Sequence, residues 1–144
     1  YLVFSDFPLN APALRATMAA RCAKDDDQYF ALLEELFEKQ EDWAYQSDFL
    51  TPLKAIVAKY GVDGAMFKAC INNKELEAGL LDRIRAAQQQ FNVNSTPSFV
   101  IYNSVTVSSG RTYEEFNTIL EQALAPKSDE TSEQPATEAG EETP

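Results

Sequence analysis

Histidine is absent from the 144 residues, and other scarce residue types narrow the possible chemistry further. Without imidazole, histidine-assisted serine or cysteine catalysis and histidine-based metal sites are excluded. Lys and Arg number 12 against 23 acidic residues, which gives a formal net charge of −11. Nucleic-acid binding needs clustered basic residues, so we predict no nucleic-acid partner. The few glycines are scattered singly and form no phosphate loop.

Long apolar runs are also missing. No run approaches the roughly 18 residues that a membrane-spanning helix needs. A hydrophobic fraction of 44% and an aromatic fraction of 11% indicate a globular domain. The chain opens on Tyr1 without an initiator Met or a signal-peptide pattern. We therefore expect an N-terminally truncated chain.

The sequence contains two cysteines, Cys22 and Cys70, which are 48 positions apart. This spacing fits neither a Cys-x-x-Cys redox pair nor a zinc site. Two buried thiols and one structural disulfide are both compatible with the residues alone. A reactive cysteine needs a helix N-terminus or a cationic neighbour, and Cys22 is predicted late in a helix. We assign no catalytic residue, no metal and no cofactor to this chain.

Apolar periodicity predicts a short buried strand at Tyr1 to Phe4 and then a block of five helices. The first, second and fifth helices are expected over about residues 12–23, 27–41 and 74–90. The third is expected to carry Leu50, Leu53, Ile56, Val57 and Tyr60, and the short fourth to carry Met66, Phe67 and Cys70. Ser47 or Asp48 is expected to cap the third helix, and Asp63 the fourth. Gly61 should stop the third helix.

The pattern changes after the helical block. Ser98 to Tyr102 and Val105 to Ser108 read as a β-hairpin around Asn103 and Ser104. A capping box, Thr112 to Glu115, begins a terminal helix. Two helix faces are predicted to be buried, and their members are Tyr29, Phe30, Leu33, Leu36 and Phe37 in the second helix and Tyr113, Phe116, Ile119, Leu120 and Leu124 in the last.

Four short segments carry a resemblance to a known family. Asn-Ser-Thr-Pro-Ser-Phe at 94–99 resembles the loop that precedes a cis-proline in the DsbA family, and Asp-Phe-Pro-Leu at 6–9 resembles the turn into that family's helical insertion. The segments 18–23 and 67–70 are similar to positions that hold a second, non-catalytic disulfide in some members. The resemblance covers about Tyr1 to Leu124.

The resemblance implies an α/β, thioredoxin-like fold with an inserted helical domain. The expected parts are residues 1–10 (thioredoxin-fold strand and turn), 11–91 (helical insertion), 92–125 (cis-Pro loop, hairpin and C-terminal helix) and 126–144 (disordered acidic tail). The family's first strand and active-site helix are missing from the chain, so we expect an incomplete sheet with a gap. Open sheet edges favour association.

By the same resemblance, the chain is the C-terminal part of a DsbA-type protein disulfide oxidoreductase. The catalytic Cys-x-x-Cys would lie upstream of Tyr1, so this fragment alone would be inactive. Partners would be reduced or misoxidised client proteins and a membrane or soluble redox partner, in the periplasm or another extracytoplasmic compartment. Cys22 and Cys70 would form the structural disulfide.

Thr96 and Pro97 would bind substrate. A cis bond at this X-Pro step would turn the Thr96 backbone outward, where it can pair with an extended client. The Thr96 hydroxyl could also donate to a thiolate and favour its charged form.

Several alternatives remain open from the sequence. Thr96-Pro97 is also compatible with an ordinary trans bond at the start of a strand. The natural protein could be a redox-dead relative, and the chain could serve as a non-catalytic thioredoxin-like binding or chaperone module. A glutathione-transferase-like branch, in which a serine replaces the nucleophile, is a third candidate.

Overall fold

The computed structural model describes residues 2–102, 105–108 and 110–125. Within these ranges the elements follow the predicted order of a helical block, a hairpin and a terminal helix. In chain order they are α1 (Ala11–Ala20), α2 (Asp26–Glu38), α3 (Gln40–Trp43), α4 (Leu50–Ala58), α5 (Gly64–Ile71), α6 (Lys74–Phe91), β1 (Ser98–Ile101), β2 (Val105–Ser108) and α7 (Tyr113–Leu124). No helix of the described part is long and apolar enough to cross a membrane.

Most helices begin at a side-chain cap. Asn10, Asp25, Asp63 and Asn73 each accept a hydrogen bond from a backbone N–H in the first turn of α1, α2, α5 and α6. Such caps satisfy donors that have no partner within the helix. The predicted cap at Asp63 is therefore confirmed.

Three predicted helix boundaries need correction. α1 ends at Ala20 rather than near residue 23, so Cys22 lies in the following turn. The helix predicted over 27–41 is divided at Lys39 into α2 and α3. α4 begins after Phe49, although Asp48 still accepts a 3.3 Å hydrogen bond from the Thr51 N–H.

The hydrophobic core lies within the helical block. Its buried members come from α1 to α5 and the turn after α4, and they are Ala16, Ala19, Ala20, Tyr29, Leu32, Leu36, Trp43, Leu53, Ile56, Val57, Val62 and Phe67. Burying such side chains stabilises a fold by about 25 cal/mol per Å² of apolar area. This block is thus the main source of stability in the described chain.

The predicted buried face of α2 is partly wrong. Tyr29 and Leu36 are buried as predicted, but Leu32 joins them in place of Phe30 and Phe37. Phe30 is 50% exposed and Phe37 is 68% exposed. The apolar residues of α2 are spread over more of the helix circumference than the core contacts. Periodicity alone therefore does not show which of them are buried.

The strand predicted at Tyr1 to Phe4 is also wrong within the described part of the chain, which begins at Leu2. Residues 2–4 have no secondary structure, and Leu2 is 88% exposed. A strand requires a partner for its backbone groups. The sheet of the described residues contains only β1 and β2.

The hairpin and α7 form the last part of the described chain. β1 and β2 pair antiparallel, with Phe99 opposite Val107, which confirms the predicted strand pair. The turn residues 103 and 104 and the predicted disordered tail at 126–144 lie outside the described residues. The centroids of the Phe99 and Phe116 rings are 4.7 Å apart, so this contact joins the hairpin to α7.

The start of α7 agrees with the sequence, whereas its predicted buried face does not. Thr112 and Glu115 form the predicted capping box. Phe116, Ile119 and Leu120 are half-buried, but Tyr113 and Leu124 are exposed. The outward position of these two residues corrects the prediction of a five-residue buried face.

Candidate functional site

The loop from Asn92 to Pro97 connects the helical block to the hairpin. Asn92 adopts a left-handed conformation, φ 53°, and ends α6. Asn is one of the few side chains that tolerate this region. The Asn94 amide donates to the Asn92 carbonyl and side-chain oxygens at 3.0 and 2.9 Å. Val93, between them, is buried and anchors the start of the loop.

The peptide bond between Thr96 and Pro97 is cis, and both residues are exposed. The neighbouring loop is held by side-chain bonds to carbonyl oxygens. The Ser98 hydroxyl donates to the Ser95 carbonyl at 2.7 Å, and the Thr106 hydroxyl donates to the Phe91 carbonyl at 2.7 Å. The second bond ties β2 directly to the end of α6.

Thr96 is available for an external partner. Among the residues that the structure describes, neither its backbone nor its hydroxyl forms a hydrogen bond. The threonine therefore presents one N–H, one C=O and one hydroxyl two residues before the start of β1. An extended peptide could satisfy such groups, as in strand addition at a sheet edge.

Cys22 and Cys70 form a disulfide with their Cα atoms 6.3 Å apart. Cys22 lies in the turn after α1, and Cys70 is buried in the last turn of α5. Both positions are at the C-terminal ends of helices, where the helix dipole disfavours a thiolate. This location supports a structural bridge between two helices of the core.

A polar network next to this disulfide holds the N-terminal segment against the helical block. Asp6 is buried and accepts hydrogen bonds from Arg21 Nε at 2.7 Å and from the Tyr29 hydroxyl at 2.6 Å. The Arg21 guanidinium also lies 4.4 Å from the centre of the Tyr29 ring. Each oxygen of the Asp6 carboxylate thus has its own donor, as a buried charge requires.

Burial raises the pKa of the Tyr29 hydroxyl far above its ordinary value, and the hydrogen bond to Asp6 raises it further. Tyr29 therefore remains a neutral donor at any physiological pH. Because Tyr29 does not ionise in that range, its hydroxyl acts as a hydrogen-bond donor that holds Asp6 against α2.

A cleft of about 490 Å³ lies between the end of α1 and the first turns of α6. Arg21, Glu75 and Arg83 are on its wall, and Thr96 and Pro97 are not. In the described residues, no group of three or more His, Cys, Asp or Glu side chains is arranged to hold a metal ion.

The sequence indicates the segments at Asp6 and Thr96 but does not reveal the network of Asp6, Arg21 and Tyr29. The available signal was Asp6 itself, an acidic residue between apolar ones in Asp-Phe-Pro-Leu. A buried carboxylate needs partners, and a nearby Arg and Tyr supply them.

Comparison with known proteins agrees with this architecture. A family model described as thioredoxin matches residues 1–122, and the chain therefore belongs to the thioredoxin family. A Rickettsia conorii protein, described as an inferred protein-disulfide oxidoreductase, is 26% identical over 99 residues, which cover 69% of this chain and 36% of that protein. The chain thus spans about a third of the curated relative it matches.

Two solved structures share the fold. The crystal structure of Wolbachia pipientis alpha-DsbA1 superposes with a TM-score of 0.68 at 22% identity, over 83% of this chain and 66% of that one. A threonine-to-valine variant of the same protein gives a TM-score of 0.69 at 21% identity with the same coverage. The predicted DsbA-like thioredoxin fold is confirmed.

Proposed function

We propose that this chain is the client-docking and helical part of a thiol–disulfide oxidoreductase that exchanges disulfides with other proteins. The observation that carries the proposal is the match to the thioredoxin family over residues 1–122, combined with an exposed Thr96 two residues before β1 that forms no hydrogen bond within the described residues. The name of the Rickettsia conorii relative, a protein-disulfide oxidoreductase, supports the same chemistry.

The redox-active sulfur of this proposal comes from outside residues 1–144. The two cysteines of the chain are bonded to each other, at helix ends that disfavour a thiolate. With a misoxidised client, a separate thiolate placed beside Thr96 would attack the client disulfide, form a mixed disulfide and release a client thiolate. With a reduced client, a client thiolate would attack the oxidised active-site disulfide, form the same kind of mixed disulfide and release an active-site thiolate. The Thr96 hydroxyl would donate to the attacking sulfur, and the helical block would border the client groove.

Clients in this proposal are reduced or misoxidised proteins, and a membrane or soluble redox partner renews the active cysteines. Such chemistry belongs to an oxidising, extracytoplasmic compartment such as the periplasm. The disulfide between Cys22 and Cys70 supports that location, because structural disulfides persist mainly where thiols are not kept reduced.

Activity assays test the location of the redox centre. We expect the 144-residue chain to show no insulin reduction and no oxidation of model dithiols. Transcript sequencing upstream of the Tyr1 codon should then reveal a Cys-x-x-Cys motif. Turnover by the chain itself would overturn the assignment of the nucleophile. An upstream sequence without cysteine would favour the non-catalytic binding module instead.

Nuclear magnetic resonance tests the docking role of Thr96. Titrating the ¹⁵N-labelled chain with an extended client peptide should shift the amide resonances of Thr96 and Ser98. The amide resonance of Glu114, an exposed residue of α7, serves as the internal reference. Shifts confined to regions other than the loop would refute docking at Thr96.

A further inference from the structure

The outer face of α2 carries exposed aromatic side chains that the described chain leaves uncovered. Phe30 and Phe37 are separated by seven residues, or about 10 Å along the helix, and lie on the same face. Phe4 extends this surface, because its ring lies edge-on to Phe30 at 5.6 Å and is itself 51% exposed. We call Phe4, Phe30 and Phe37 the α2 aromatic surface.

Unpaired acidic groups border this surface on one side. Asp27, Glu34 and Glu38 are exposed and follow one another along α2 beside the two phenylalanines. Within the described ranges none of them forms an ion pair, whereas Glu35 on the neighbouring face is paired with Lys59. A row of aromatic rings therefore runs beside a row of uncompensated carboxylates.

We propose that the α2 aromatic surface docks a partner-protein segment in which aliphatic or aromatic residues alternate with Lys or Arg. The apolar side chains of that segment cover Phe30 and Phe37, and its basic side chains meet Glu34 and Glu38. This interaction is additional to the proposed client docking at Thr96 and shares no residue with it. Exposed apolar patches with a polar border are typical of protein interaction sites.

Charge complementarity favours a basic protein segment over a second copy of the chain and over an anionic membrane as the partner of this surface. A second copy of the chain would bring the same acidic row to the contact, and each copy carries a formal net charge of −11. Anionic membrane surfaces are disfavoured for the same reason. A basic segment would be attracted to the carboxylates beside the α2 aromatic surface, whereas a second copy or an anionic membrane would be repelled by them.

Isothermal titration calorimetry with two designed peptides provides the test. One peptide alternates Leu and Phe with Lys and Arg, and the other has Glu at every basic position. We expect the full chain to bind the basic peptide and to ignore the acidic one, with binding that weakens as salt is raised. Equal binding of both peptides, or of neither, would overturn the proposal.

Variants then locate the contact. Phe37→Ser should weaken binding of the basic peptide by about tenfold, since it removes one aromatic side chain that the bound peptide would cover. Because Phe37 is mostly exposed in the free chain, the variant should keep the circular dichroism spectrum of the parent. The double variant Glu34→Gln/Glu38→Gln should weaken binding by about threefold and reduce its salt dependence.

Matched controls come from α7, where Tyr113 and Glu114 are exposed. Tyr113→Ser and Glu114→Gln should leave the affinity unchanged. An equal loss in these controls would show that the peptide binds nonspecifically, and would refute the assignment to α2. If the parent chain self-associates and Phe37→Ser does not, the partner of the α2 aromatic surface would be a second copy of the chain. That result would also refute docking of a basic segment.

Discussion

The Tyr29 hydroxyl donates a 2.6 Å hydrogen bond to Asp6, which lies 23 positions earlier in the chain. This bond fastens a segment without secondary structure to a core residue of α2. Arg21, from the turn after α1, binds the other carboxylate oxygen, so three separate stretches of chain meet at one carboxylate. Removing any member leaves a buried polar group without its partner.

Replacing Tyr29 with Phe should lower the free energy of unfolding by about 1.5 to 3 kcal/mol, the range for a hydrogen bond to a charged group. The substitution keeps the ring that faces Arg21 and removes only the hydroxyl. Urea unfolding followed by circular dichroism measures the loss. Tyr113→Phe is the control, because Tyr113 is exposed and its variant should match the parent. Equal stability of the two variants would contradict a stabilising bond to Asp6.

The free energy of unfolding should also decrease in alkaline solution, because Tyr29 ionises more readily in the unfolded chain than in the folded one. Its pKa is raised in the folded state above the ordinary value of 10.0, so the unfolded chain loses this proton first. The contribution is fully present below pH 10 and is lost progressively as the pH rises further. Urea midpoints at pH 8, 10 and 11 check this. Tyr29→Phe should show a shallower decline than the parent, and parallel curves would disprove the linkage.

Much of the helical block could be predicted from the sequence because its signals are local. Asp63 as a cap and Thr112 with Glu115 as a capping box each act within a few residues. The inward face of α2 was predicted only in part, since Leu32 and Phe30 are both apolar and the choice between them depends on the shape of the rest of the core.

Two differences near the N-terminus, at residues 2–4 and at Asp6, have a similar origin. Leu2 to Phe4 has the composition of a strand, but strand formation depends on a neighbour that composition does not reveal. The bond between Tyr29 and Asp6 joins residues whose pairing has no local pattern. By contrast, the Thr96-Pro97 step was recognisable because its neighbours resemble a family motif.

Loss of the disulfide should destabilise the helical block. The double variant Cys22→Ala/Cys70→Ala opens a loop of 48 residues, and the chain-entropy model assigns such a loop about 4 kcal/mol. Differential scanning calorimetry should therefore show a clearly lower Tm. Reduction of the parent with dithiothreitol should lower its Tm similarly and leave the variant unchanged. A parent whose Tm does not respond to reduction would argue against a stabilising bridge.

The bond from Thr106 to the end of α6 should hold the hairpin in place. Thr106→Val keeps the size of the side chain but leaves the Phe91 carbonyl without this donor, at a cost of about 1 kcal/mol. Amide hydrogen exchange in β1 and β2 should become faster. Thr51→Val, at an exposed position of α4, provides the comparison and should leave the hairpin amides as protected as in the parent. Unchanged exchange in Thr106→Val would mean that other contacts hold the strands.

Trp43, the single tryptophan of the sequence, is buried in the helical core and donates from its indole nitrogen to the Leu36 carbonyl. Its emission therefore reports on the helical block, because the hairpin and α7 contain no other indole. Comparing the melting of this natural fluorophore with that of a dye placed on α7 would reveal whether the two parts unfold as one cooperative unit. Trp43 fluorescence can therefore measure whether the helical block unfolds together with the hairpin and α7 or separately from them.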